Sequence, residues 1–108
     1  MNYYLVQAAY EAETVANLIK NPQNRTDPVQ KAVEKLGGSL VGFWFAFGDY
    51  DVVAINQLPD NVSAAALSMA IAAGGALKAY KTTPLMTAEE AMEAMKKAGK
   101  TGYKPPKG

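Results

Sequence analysis

Asp49 and Asp51 flank Tyr50 in Gly48-Asp49-Tyr50-Asp51, the only acid pair in the middle of the chain. Two carboxylates this close can act as a base or hold a hard cation such as Mg²⁺. On a continuous strand they would share a face, but Gly48-Asp49 reads as a turn, where aspartate has an ordinary structural use. The structural reading carries more weight: Asp49 shapes the turn, and Asp51 accepts a backbone N–H or pairs with Arg25. Tyr50 is either a phenolic donor to a ligand oxygen or a β-prone aromatic on a half-buried strand, the second being the commoner use. Arg25, the only arginine, sits in the polar break Asn24-Arg25-Thr26. Its planar fork suits a carboxylate or phosphate, and solvation or a surface ion pair is the plainer alternative.

Four further positions are candidates for ligand contact. Asn56 interrupts an apolar strand, and a buried amide must either bind backbone or face a cavity. Lys78 and Tyr80 alternate with Leu77 and Ala79, so they are expected on one face of the last strand, beside a ligand or on a solvated edge. Trp44, with Phe43, Phe45 and Phe47, can wall an apolar pocket, though such a stripe more often serves core or interface.

The chain has 108 residues, with no histidine and no cysteine. That excludes zinc sites built on His or Cys, His-ligated haem, Ser-His-Asp triads, Cys nucleophiles and disulfides. Any proton chemistry must use Asp, Glu, Lys or Tyr. No cofactor and no metal site is expected. With 11 basic and 10 acidic residues, there is no basic stripe to suggest a nucleic-acid partner. The N-terminus lacks a signal-peptide layout, and the low-charge run 61–77 is too short and too weakly apolar for a membrane span. No membrane association and a cytoplasmic location are expected.

The elements that position these residues follow from periodicity and punctuation. Tyr3–Tyr10 reads as a strand. Glu11–Lys20 reads as a helix with Ala12, Val15, Ala16 and Ile19 on its apolar face, stopped by Asn21-Pro22. Asp27-Pro28 reads as cap and first turn of a second helix, with Gln30 closing a capping box and Val29, Ala32, Val33 and Leu36 inward. Leu40–Phe47 and Tyr50–Gln57 are strands. Asp60 caps a third helix, with Val62, Ala65, Ala66, Met69 and Ala73 on one face. Gly37-Gly38 and Gly74-Gly75 read as helix ends rather than phosphate loops. Leu77–Thr83 is the last strand, with Pro84 ending its pairing. Thr87-Ala88-Glu89-Glu90 is a capping box for a final helix through Ala98. Residues 1–98 thus form one domain, and 99–108, with Lys100, Lys104 and Lys107, a flexible basic tail.

The order β-α-β-β-α-β plus a C-terminal helix predicts an α+β, ferredoxin-like fold with a four-stranded antiparallel sheet. Both faces of the second strand are apolar: Val41, Phe43, Phe45 and Phe47 on one side; Leu40, Gly42, Trp44 and Ala46 on the other. Two helices cover only one face of such a sheet. The other face, roughly 400 Å² in projection, is large enough to mark an interface. Two sheets packing face to face in a homodimer, or a higher homo-oligomer, are expected.

Gly48-Asp49-Tyr50-Asp51-Val52-Val53 resembles the signature of the GYD domain family. Tyr4-Leu5-Val6, Asn21-Pro22 with Arg25, Gly37-Gly38, Pro59-Asp60 and Gly75 match in order and spacing, over about residues 3–95. The resemblance implies a dimeric α+β barrel. It implies little about activity, because fold relatives include cofactor-free monooxygenases, muconolactone isomerases, haem proteins and metabolite-sensing oligomers. The leading expectation is a homo-oligomer binding a small molecule between sheet and helices, apolar with an anionic group met by Arg25 or Lys78. The alternatives are a cofactor-independent monooxygenase- or isomerase-like enzyme using Tyr50, Asp51 or Asn56, and a structural or regulatory assembly module.

Overall fold

A computed structural model describes residues 1–106; Lys107, counted above in the tail, lies outside the described residues. The elements are β1 (Asn2–Tyr10), α1 (Ala12–Lys20), α2 (Thr26–Lys35), β2 (Ser39–Phe45), β3 (Val52–Leu58), α3 (Asn61–Ala73), β4 (Leu77–Leu85) and α4 (Ala88–Ala98). The strands form one antiparallel sheet in the order β2-β3-β1-β4. This is the predicted α+β, ferredoxin-like arrangement.

The helix-covered face of the sheet carries Tyr4, Val6, Ala8 and Tyr10 from β1 and Val52, Ala54, Asn56 and Leu58 from β3. One end of this layer is packed solid. Tyr4, Leu58, Val33, Ala64 and Leu67 form the buried core, with Val29, Ala32, Leu36 and Ile71 against it. Tyr4 ties this end down by donating its hydroxyl to Asn61 Oδ1 at 2.7 Å. At the other end, the Glu11 N–H and the Thr14 hydroxyl both donate to the Ala76 carbonyl, at 3.0 and 2.8 Å. They hold the start of α1 beside the turn into β4.

Several local expectations need correction. α2 begins at Thr26 rather than at Pro28 and has no side-chain cap at Arg25. Asn24 Oδ1 instead accepts the Thr26 N–H at 2.9 Å, which lets the helix start before the proline. The buried face of α3 is Ala64 and Leu67, while Val62 and Met69 are 78% and 72% exposed. α3 is apolar all round, so position alone leaves its orientation open, and the two bulkiest inward side chains, Leu67 and Ile71, decide it. α1 likewise turns Thr14 and Leu18 inward and leaves Val15 and Ile19 exposed. Pro84 does not end β4, which pairs on to Leu85 opposite Tyr3. β4 is an edge strand, where a missing N–H is tolerated.

The expected caps at Asp60 and Thr87 are present. Asp60 Oδ1 accepts the Ser63 N–H at 2.8 Å, and Thr87 and Glu90 complete a capping box. α4 itself makes at most marginal contact with the other elements, and none of its residues is buried. The radius of gyration is accordingly 17.5 Å, against about 13 Å for a compact chain of this length. No helix among the described residues is long and apolar enough to cross a membrane.

Candidate binding site

Between the sheet and α1, α2 and α3, away from the solid end, lies a cavity of about 430 Å³. Its floor is Val6 and Ala8 of β1 and Val52 and Ala54 of β3; Leu67 and Ile71 of α3 wall it. Small residues on the strands leave the room, since the alanines put almost nothing above the sheet. Polar side chains reach in at two places. Asn56 lies toward the solid end, while Tyr10, Arg25, Gln23, Asn17 and Thr14 gather toward the other; Tyr80, opposite Ala8, stands between them with its hydroxyl toward Thr82.

Asn56 is 1% exposed, and its Oδ1 has no hydrogen-bond partner among the described residues; neither do the buried Tyr80 hydroxyl and Thr82 Oγ1. Burial pushes the Tyr80 phenol above its ordinary pKa. The Thr82 hydroxyl pulls the other way from close by, though no hydrogen bond of good geometry joins the two. Burial also raises Tyr10, opposed by the positive charge of Arg25 and assisted by the negative charge of Asp51. Both phenols therefore stay protonated well past neutrality and act as donors, not as bases. Arg25 Nη1 donates to Gln23 Oε1 at 3.1 Å, which steadies the guanidinium at the cavity's polar end.

Of the residues singled out in the sequence, Arg25, Asn56 and Tyr80 line this cavity, and Trp44, Tyr50, Asp51 and Lys78 do not. Two bulges reset the faces of the edge strands. Val41 is an extra residue in β2, so Leu40 pairs Asn56 while Gly42 pairs Ile55. Leu40, Phe43 and Phe45 consequently face the helices, and Trp44 falls on the open side with Gly42. Its indole lies over Gly42, at the place any side chain there would occupy. Lys78 is the extra residue in β4, opposite the irregularity at Ala9 and Tyr10. It projects to solvent, and Leu77 takes the cavity position beside Tyr80.

The Gly48-Asp49-Tyr50-Asp51 segment is wider than a two-residue hairpin turn. The strands end at Phe45 and Val52, and the Ala46 N–H closes the loop on the Asp51 carbonyl at 2.8 Å. Phe47 is fully exposed, and Gly48 has φ of 135°, a backbone that a side chain rarely tolerates. Tyr50 is half-buried in this loop. Asp51 Oδ2 accepts the Tyr10 N–H at 2.8 Å, while the Asp51 N–H donates to the Ala8 carbonyl at 2.8 Å. The carboxylate thus closes the β1 irregularity that the bulge creates. Tyr10, a cavity residue not singled out above, was readable from the alternation Tyr4-Val6-Ala8-Tyr10, which puts it on the helix-covered face.

The GYD domain profile matches residues 4–95. The chain belongs to the GYD domain family. No curated protein sequence matches it. Among solved structures, this GYD protein is similar to one from Thermus thermophilus, with TM-score 0.54 and 17% identity, covering 82% of this chain and 96% of the other. It is also similar to an uncharacterized NIPSNAP domain protein from Burkholderia xenovorans, with TM-score 0.52 and 19% identity, covering 82% and 95%. At these identities the likeness carries the fold alone.

Proposed function

We propose that this GYD protein is a homo-oligomer that binds a small, largely apolar molecule in the cavity between sheet and helices, with an anionic group of the ligand met by Arg25. The observation that carries this reading is the cavity itself. Its volume of about 430 Å³ lies in the range of small-molecule sites, and such sites are mostly apolar with a few convergent polar groups. A solidly packed layer would have favoured a pure assembly module.

The enzyme alternative has less support. Abstraction of a proton needs a base near the operating pH. Among the described residues no Asp or Glu lines the cavity, Asp51 is committed to the Tyr10 N–H, and both cavity phenols are shifted away from the ionised form. Oligomer formation is supported by the open sheet face, where Leu5, Val53, Ile55 and Trp44 have no helix above them among the described residues.

Native mass spectrometry of protein purified from its own host tests the reading. A stoichiometric small-molecule adduct is expected, and its loss on Arg25→Gln would tie it to this cavity. Bare oligomers across repeated preparations would count against ligand binding.

A further inference from the structure

Resting on the binding reading above, we infer that the cavity takes a medium-chain carboxylic acid bearing a hydroxyl at the far end, its carboxylate at Arg25 and its hydroxyl at the Asn56 end. Three observations combine. The first is the unmade hydrogen bond at the deep end. Asn56 is 1% exposed with Oδ1 unpartnered, and the Tyr80 hydroxyl, from the other cavity-lining residue of this kind, is likewise buried without a partner among the described residues. The register sets the two on either side of Val6: Asn56 is opposite Tyr4 on β3, and Tyr80 is opposite Ala8 on β4. A buried polar atom left unpaired is costly, so a group able to pair there is favoured over plain hydrocarbon. A hydroxyl both donates and accepts. It therefore satisfies Asn56 whichever way the amide is turned, and it can share a bond with a phenol.

The second observation is the single guanidinium at the opposite end, beside Tyr10, Asn17 and Gln23. A fork of this kind recognises a carboxylate in two parallel bonds, and the protonated Tyr10 phenol adds a donor rather than a repelling charge. The third is what lies between. Tyr10 is six residues along β1 from Tyr4, which pairs Asn56. At ~3.3 Å per residue this is roughly 20 Å between backbone positions. An extended ten-carbon chain with an oxygen at each end, roughly 14 Å long, fits within it and leaves room for the side chains that meet its ends. The floor and wall over this distance are Val6, Ala8, Val52, Ala54, Leu67 and Ile71, mostly aliphatic surface, with Phe43 beside them.

Calorimetric titration with 10-hydroxydecanoate, decanoate and 1,10-decanediol separates the parts. The hydroxy acid is expected to bind at least about tenfold more tightly than either of the others, since a site with unpaired polar groups penalises a ligand that leaves them so. Asn56→Leu should bring it level with decanoate, and Tyr80→Phe, which keeps the cavity shape, should erode the same preference. Arg25→Gln should bring it level with the diol. Decanoate or the diol binding as well as the hydroxy acid would overturn the inference and leave the binding reading standing, as would a co-purified ligand of another class with none of the three probes binding. No probe binding, together with bare oligomers from the native host, would overturn both.

Discussion

Asp51 illustrates how a residue that looks catalytic is spent on the backbone. Its carboxylate takes the Tyr10 N–H at 2.8 Å at the point where β1 goes out of register. Hydrogen bonds to charged groups contribute about 1.5–3 kcal/mol. Asp51→Ala is therefore expected to lower unfolding free energy by about 2 kcal/mol in urea titrations, while cavity binding through Arg25 persists. Loss of binding with unchanged stability would return Asp51 to the list of ligand contacts.

The phenols set an alkaline limit. Tyr80 and Tyr10 have raised pKa values in the fold, so above the ordinary phenol value the unfolded chain releases protons that the folded chain retains. Their stabilising share is complete below about pH 10 and is lost as pH rises through the folded values. Melting temperature measured from pH 7 to 11 is expected to stay level from this source until about pH 10 and then fall, less steeply in Tyr80→Phe. Asn56, Arg25 and Tyr80 were readable as candidates because each is an odd residue in its surroundings. Leu40 was expected to share a face with Trp44, and Lys78 with Tyr80, because one extra residue in a strand reverses the faces across it. Neither Val41 nor Lys78 is a residue type that announces a bulge.

At the scale of elements, punctuation was legible and orientation was not. The Asp60 cap, the Thr87 capping box and the helix-ending glycines are local devices, written in a few adjacent residues. The facing of α1 and α3 depends on what lies beneath them. Both helices carry apolar residues on more than one side, so the packing of Leu67 and Ile71 over the sheet settles the matter for α3. Leu67→Ala is expected to cost about 3 kcal/mol in chemical denaturation, and Met69→Ala under about 0.5 kcal/mol. A larger cost at Met69 would mean that this exposed face is covered in solution.

For the whole molecule, the sheet has one clothed face and one bare face, and α4 stands clear of both. A 108-residue chain with a 17.5 Å radius of gyration leaves surface that a second copy of itself can bury. Light scattering after size exclusion is expected to give at least twice the 11.5 kDa chain mass at micromolar concentration. A value near the single-chain mass would sink the oligomer. The α+β topology was legible because the order of elements admits few alternatives. A site between sheet and helices was expected; its extent and lining were not legible, because its room comes from Ala8 and Ala54 lying beneath helices whose orientation the sequence leaves open.

Trp44 is the only tryptophan in the chain, 54% exposed and seated over Gly42 on the bare face. The cavity opens on the far side of the same sheet. Intrinsic fluorescence from this protein is thus an optical gauge of one face only. Its emission should move to shorter wavelength when copies associate and stand still when the cavity fills. If the cavity binds as proposed, a ligand screen read by indole emission would return false negatives, and the tyrosine absorbance of Tyr10 and Tyr80, which line it, is the channel to read.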